Sequence, residues 1–375
     1  MNDSIRKLFI AANNYTYLNS AAVSPLPATA IKGVISQLVD VSSSGSVGYL
    51  GWLKRKESSR ALLAGMLNVQ AEQVAFTRNT SDGIATIANG LPWSAGDNIV
   101  SFENEFPANF YPWRRIRDDC GVELRMCPER NGRIDLDELC SLIDQHTKVV
   151  AISAVQYASG FRADLERIGR AARAVDALFV VDVIQALGAM AFDLPAQYVD
   201  AASGASHKWL CAPEGCGFVY LSDRARERIK PTLVGWISVD TPWDFVDKEQ
   251  PWRSTALAWE SGTGCSALFY GLEQSLKLLT DTGLKNIENY TLGLSDELCA
   301  GLANKNYEIV SSRAPTERSA IVCIRHRGGI PANEIGKKLE CDKIIVSPRG
   351  DRLRIATHFY NNSEDVDRVL ASLPV

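Results

Sequence analysis

Residues 148–185, KVVAISAVQYASGFRADLERIGRAARAVDALFVVDVIQ, hold a strand, a helix and a second strand in succession. Residues 148–156 are short and β-branched, as a buried strand requires. Asp164 offers a side-chain acceptor to the first turn of a helix that carries Leu165, Ile168, Ala172 and Val175 on one face. Residues 179–183, FVVDV, return as another apolar run. Two strands joined through a helix form a βαβ unit, and such a crossover makes the strands parallel. A similar unit is expected upstream, with a strand over 73–77, a turn over 78–81, a helix over 82–90 and a strand over 98–102. Further strands are expected over 199–202 and 217–221. Alternation of this kind predicts an α/β fold with a mainly parallel sheet covered by helices on both faces.

From about Ser266 the pattern changes. Helices are predicted over 267–280 and 284–304, strands over 321–325 and 353–357, and a closing helix over 363–371. The expected division is a large unit over 15–265 and a smaller C-terminal α+β unit over 266–375, joined by residues 1–14. No repeat or low-complexity tether separates them.

Composition narrows the function classes. The chain has 375 residues, 46% hydrophobic and 22% charged, the balance of a globular protein with a sizeable core. Forty Lys and Arg against 44 Asp and Glu leave a net charge of −4, without a basic tract to attract a nucleic acid or an anionic membrane, so neither is expected as a partner. The nine cysteines form no CxxC pair and read as reduced. With no signal-like or membrane-spanning apolar run, a cytoplasmic location is expected. The four histidines lack HxxH or HExxH spacing, so no metal site is expected. No GxGxxG turn follows a strand, which disfavours a nicotinamide dehydrogenase.

The chemistry gathers around VDVIQ (181–185) and SHK (206–208). Asp182 ends an apolar strand at the carboxyl edge of the predicted sheet, where open α/β folds bind ligands. Lys208 follows 26 residues later. Pyridoxal phosphate needs this combination: an amine for its aldehyde and a carboxylate to keep its ring nitrogen protonated. Asn79, Thr80 and Ser81 lie between a strand and a helix, where amides, hydroxyls and the helix dipole converge on an anion. A plain N-cap by Thr80 or Ser81 is the simpler reading of that turn alone.

In order along the chain, these segments resemble the class V aminotransferases of the fold-type I pyridoxal phosphate enzymes, a family that includes cysteine desulfurases, selenocysteine lyases and isopenicillin N epimerase-like proteins. The resemblance runs over nearly the whole chain and implies a seven-stranded, mainly parallel sheet in the large domain. YLNSAA (17–22) resembles the substrate-side segment, with Asn19 and Ala21, and FTRNTS (76–81) the phosphate turn. EFPAN (105–109) resembles the segment whose aromatic residue, here Phe106, covers the cofactor ring. By the same resemblance Gln156 lies near the cofactor hydroxyl, Asp182 and Gln185 form the DxxQ motif, and His207 faces the phosphate. Lys208 forms the Schiff base and carries protons. ESGT (260–263) resembles the loop through which Thr263 reaches the neighbouring subunit's phosphate, implying a homodimer, and Arg354 resembles the arginine that holds the substrate carboxylate.

Two departures bear on the reaction. Phe106 stands where cysteine desulfurases carry histidine, and the segment 345–352, IVSPRGDR, read as a short loop, contains no cysteine. Cys341 lies before it and reads as structural. The expectation is therefore an enzyme acting on a small α-amino acid by aminotransferase or lyase chemistry. Epimerisation ranks behind these, sulfur transfer to a protein thiol is disfavoured, and a non-catalytic cofactor-binding protein is the rival from another class. Sixteen residues precede Tyr17 and the net charge is negative, so the DNA-binding module that regulators on this scaffold carry is not expected. Trp236, Trp243, Trp252 and Trp259 are read as packing a junction in preference to lining a pocket. His358, Tyr360 and Asn361 are either substrate-facing or at the surface.

Overall fold

A computed structural model describes residues 3–374. The outer ends of the expected small unit, residues 1–2 and 375, lie outside the described residues. Seven strands form the main sheet: β1 (Val74–Thr77), β2 (Asn98–Phe102), β3 (Glu123–Cys127), β4 (Thr147–Ser153), β5 (Leu178–Asp182), β6 (Ala201–Ala205) and β7 (Gly217–Leu221). Their spatial order is β1-β7-β6-β5-β4-β2-β3. Only β7 runs against its neighbours. The segment read first, β4, helix α5 (Leu165–Ala174) and β5, is a βαβ unit in which β4 and β5 are parallel neighbours. Asp164 caps α5 by accepting from the Arg167 amide, and Leu165, Ile168 and Ala172 are buried. Strands β5, β6 and β7 are buried at every position, as a sheet covered on both faces requires.

The upstream unit differs from the expected simple pair. Strands β1 and β2 are separated by four others in the sheet, because helix α3 (Thr80–Gly90) crosses the face of β6 and β7. The all-small strand β6, AASGA, makes room for it. A Cβ on Gly83 would stand 2.1 Å from Ser203 Oγ, so glycine lets α3 approach that closely. The β6 strand itself begins at 201 and not at 199, since Tyr198 has positive φ and breaks the extended run.

Helices α1 (Ala28–Ser44), α2 (Tyr49–Leu67) and α6 (Ser266–Thr282) pack together beside the sheet. A smaller antiparallel sheet contains β8 (Tyr307–Ile309), β9 (Ile321–His326), β10 (Ser347–Arg349) and β11 (Arg352–Ala356), ordered β8-β9-β11-β10. Helices Leu284–Leu302, Ala332–Cys341 and Ser363–Ser372 cover it around a core that includes Leu298, Val322, Ile335, Ile355 and Val366. The segment read as a loop over 345–352 is mostly hairpin, with Cys341 exposed at the end of the preceding helix. No helix among the described residues is long and apolar enough to cross a membrane.

Candidate active site

The loops after β1, β2, β4, β5 and β6 all leave the same carboxyl edge of the sheet, so residues far apart in sequence meet there. One cavity of ≈ 280 Å³ is lined by Ala21, Asn79, Thr80, Ser81, Phe106, Asp182, Gln185, His207, Lys208 and Arg354. Ala22, Ala108, Tyr157, Ile184 and Arg349 complete its wall. Of the residues singled out from sequence, Asn19, Gln156 and Thr263 do not line it.

Asp182 is almost fully buried. Its Oδ1 accepts the Ile184 amide at 2.9 Å, while Oδ2 is buried with no hydrogen-bond partner. Burial raises its carboxyl to about 6 against the pull of the Ile184 amide and the Lys208 charge. Lys208 is also buried, and burial lowers its ammonium to about 8, opposed by Asp182 and reinforced by Arg354 and Arg349. The Lys208 Nζ stands over the Phe106 ring, 5.2 Å from its centroid, and Tyr157 meets Phe106 edge-on at 5.2 Å. His207 is shifted downward by burial and then by Lys208.

At the phosphate turn the cap is Asn79, whose side chain accepts the Asp82 amide at 2.9 Å, and not Thr80 or Ser81 as the simpler reading had it. Thr80 and Ser81 belong to the first turn of α3, and Thr80 Oγ1 is buried without a partner. Gly217 permits this turn to sit on β7, since a Cβ there would lie 2.5 Å from the Asn79 nitrogen.

Gln156 sits behind the cavity, fully buried, and donates through Nε2 to Glu105 at 2.9 Å. Glu105 also accepts from the Ser153 amide and hydroxyl, at 2.6 and 2.5 Å, and burial carries its carboxyl to about 7 despite those bonds. Gln185 is held at both ends of its amide, donating to Ala21 O and accepting from Trp209 Nε1, each at 2.9 Å. It therefore ties the Ala21 segment to the residue after Lys208. Asn19 forms a bridge with Ala356, beside Arg354 on the small sheet. Arg354 is 1% exposed; one nitrogen donates to Tyr157 O at 3.0 Å, and Nε and Nη2 have no partner.

Thr263 lines a different cavity with Tyr49, Lys56, Arg60, Trp236 and Trp243. Its loop is anchored by Glu260, which accepts from Arg60 at 2.7 Å, Lys56 at 2.5 Å and the Phe76 amide at 2.8 Å. Trp236, Trp243 and Trp252 do not pack an internal junction: they are exposed, and Trp236, Trp243 and Phe245 cluster on the surface. His358, Tyr360 and Asn361 are neither substrate-facing nor at the surface. All three are buried, and His358 is bonded to Trp209 O at 2.9 Å and pushed down to about 4 by burial.

Arg349 and Tyr157 escaped the sequence reading. The signal for Arg349 was the alternation of Arg349, Arg352 and Arg354 around a two-residue turn, which marks a hairpin face. Glu105 was quoted only as a neighbour of Phe106, and its three hydrogen bonds depend on strands distant in sequence.

These residues fit pyridoxal phosphate on the structure's own terms. The unpartnered Asp182 Oδ2 suits a ring N–H, the unpartnered Thr80 Oγ1 at a helix start suits a phosphate oxygen, and Lys208 is a partly discharged amine in the same cavity. Comparison with known proteins agrees. A probable cysteine desulfurase of Methanothermobacter thermautotrophicus is 26% identical, covering 97% of this chain and 95% of the relative. An uncharacterized aminotransferase of Bacillus subtilis is 22% identical with the same coverage. Among solved structures, the cystine C-S lyase C-DES superposes with a TM-score of 0.90 at 23% identity over 97% of this chain and 98% of that one. A cysteine desulfurase from Thermococcus onnurineus gives 0.89 at 22% identity over 99% and 96%. These structures share the fold. With the aminotransferase class-V family model matching residues 16–369, the chain belongs to the class V aminotransferase family, and is an enzyme that works with pyridoxal 5′-phosphate.

Proposed function

We propose that this enzyme acts on a small α-amino acid, by aminotransferase or lyase chemistry, with Lys208 as the cofactor-bearing amine. The observation that carries the reading is the buried, unpartnered Asp182 Oδ2 in one cavity with Lys208 and Arg354. The bound cofactor would supply an electron sink for the substrate's α-carbon. Asp182 would hold the ring nitrogen's proton, and Asn79, Thr80, Ser81 and His207 would hold the phosphate. Gln156, held by Glu105 just behind the cavity, would support the site near the cofactor hydroxyl, and Phe106 would cover one ring face without itself moving protons. Burial holds the Lys208 ammonium down to about 8, so its amine would be available to hold the cofactor and to carry a proton at the substrate α-carbon. Arg354 offers two unused donors to the α-carboxylate. No cysteine lines the cavity among the described residues, which favours chemistry completed on the small molecule over sulfur transfer to a protein thiol.

A homodimer belongs to the same reading, with Thr263 reaching the phosphate of the neighbouring subunit. Its support is the exposed aromatic cluster of Trp236, Trp243 and Phe245, two members of which line the Thr263 cavity, an apolar surface of the kind a second copy would cover. The nine free cysteines are in keeping with a reducing, cytoplasmic setting. The division into a large unit over 15–265 and a small one over 266–375 is proposed on the two separate sheets.

The test is borohydride reduction of the yellow holoenzyme followed by peptide mapping, which should mark Lys208. Product analysis with a panel of amino acids then separates the reactions: pyridoxamine phosphate accumulates in transamination, and a keto acid with ammonia marks elimination. Label on another lysine refutes the site.

A further inference from the structure

An α-carboxylate needs one guanidinium, and this cavity has two. Strands β10 and β11 pair with Arg349 opposite Arg352 and Ser347 opposite Arg354. Opposed residues and alternate residues of a hairpin share a face, so the three arginines project together. Their electrostatic fates differ. Arg352 is neutralised by Glu129 at 3.0 Å, and Arg325, on β9, by Asp351 at 2.5 Å. Arg349 and Arg354 line the cavity and form no ion pair among the described residues. Among the described residues their side chains hydrogen-bond only to carbonyls, Pro348 O at 2.9 Å and Tyr157 O at 3.0 Å. Burial, with Arg349 next in weight, holds Arg354 down to about 10.

Two like charges facing one cavity without counter-anions disfavour each other, and the fold keeps both while pairing their neighbours. That pattern is the complement of a ligand with two anionic groups. Asp182, the only carboxylate on the cavity wall among the described residues, is engaged by Ile184 and lies against Lys208, so it does not discharge either arginine. The phosphate turn is on the opposite architectural element, the start of α3 after β1, whereas both arginines come from the small sheet.

We infer that Arg349 determines specificity, and that the substrate is an α-amino acid bearing a second anionic group on its side chain, with the α-carboxylate on Arg354 and the side-chain anion on Arg349. This rests on the amino-acid reading above and narrows it to acidic side chains: a carboxylate or a sulfinate. Guanidinium supplies a planar fork for either group, and an uncharged isostere leaves that fork unpaired in a partly enclosed site, which is the strongest basis for discrimination between molecules of one shape.

The experiment uses the holoenzyme and isosteric pairs: L-aspartate against L-asparagine, and L-glutamate against L-glutamine, followed by cofactor absorbance. Each acidic member should bind at least about tenfold more tightly than its amide. Arg349→Gln should bring each ratio to near one without loss of cofactor, and Arg349→Lys should leave an intermediate ratio. Arg354→Gln should weaken all four. As a readout free of turnover, succinate should raise the melting temperature of the wild-type holoenzyme more than butyrate does, and Arg349→Gln should erase the difference. Equal affinity for acid and amide in the wild type overturns the inference, as does an Arg349→Gln variant that keeps the preference. So does a variant whose defect is loss of cofactor, because Arg349 would then serve the phosphate. Absence of bound cofactor, or of a spectral response to any amino acid, is a distinct result: it refutes the underlying amino-acid reading and this inference with it.

Discussion

Replacing Asp182 by Asn separates what the carboxylate costs the fold from what it does for the cofactor. In the cofactor-free chain Asp182 is buried, and one oxygen has no partner. Burial raises the carboxyl from 3.8 to about 6. An acid raised in this way binds more protons folded than unfolded between those values, so stability falls as pH rises from about 4 to about 6. Above that window the penalty is complete, about 3 kcal/mol at 1.36 kcal/mol per pKa unit. Asn keeps the Oδ1 acceptor for Ile184 and removes the charge. The apo variant should therefore be more stable than apo wild type at pH 7.5, by up to about 3 kcal/mol. At ~2.1 cal/mol/K per residue, that is a melting-temperature rise of about 4 °C for this chain, vanishing near pH 4. With cofactor bound the sign reverses: a charge-assisted hydrogen bond worth about 2 kcal/mol is lost and turnover falls at least ~100-fold as the ring nitrogen loses its proton. Thermal melts of apo and holo protein at pH 4.5 and 7.5, with turnover measured in parallel, read all four quantities. An apo variant less stable than wild type at pH 7.5, or a holo variant with full turnover, would refute the reasoning.

Three further outcomes are expected. Glu260→Gln should cost about 2–3 kcal/mol in denaturant unfolding, because it removes the buried partner of Arg60 and leaves that charge only the largely exposed Glu57. Burial alone would raise Glu260, yet Arg60 and Lys56 hold it at about 2, so its contribution is full above the ordinary glutamate range and disappears in wild type only as pH falls through about 2. Gly83→Ala should destabilise by about 1–3 kcal/mol through the clash with Ser203, and Ser203→Gly in the same chain should recover most of that in thermal melts. Trp243→Arg should shift sedimentation from dimer to monomer and weaken cofactor retention, and Thr263→Ala should weaken retention without changing the oligomer; a monomeric wild type that holds cofactor firmly would exclude a shared site.

Much of the fold was legible because local physics wrote it into short segments. The β-branched run of β4, the Asp164 cap and the spacing of Leu165, Ile168 and Ala172 specify strand, helix and strand with no help from the rest of the chain. Asp182 and Lys208 were legible for a related reason: each ends or follows a buried strand, and in a parallel sheet such positions share one edge whatever the strand order. The order itself was not legible. Placing four strands between β1 and β2 depends on α3 lying across β6, and thus on Gly83 meeting Ser203, a contact between residues 120 positions apart. The same distance hid what polar groups do with their hydrogen bonds. Sequence names Gln185 and His358 but cannot show that Trp209 is bonded to both, its indole donating to Gln185 and its carbonyl meeting His358, nor that Glu105 spans to Ser153 and Gln156. Arg349 is the clearest case. Its neighbours in sequence, Asp351 and Arg352, are discharged by Arg325 and Glu129 from other elements, and only that distribution of partners leaves its own charge facing the cavity. Periodicity and capping are properties of a segment, whereas charge compensation and strand order are properties of the whole packed chain, and they were decided only when it folded.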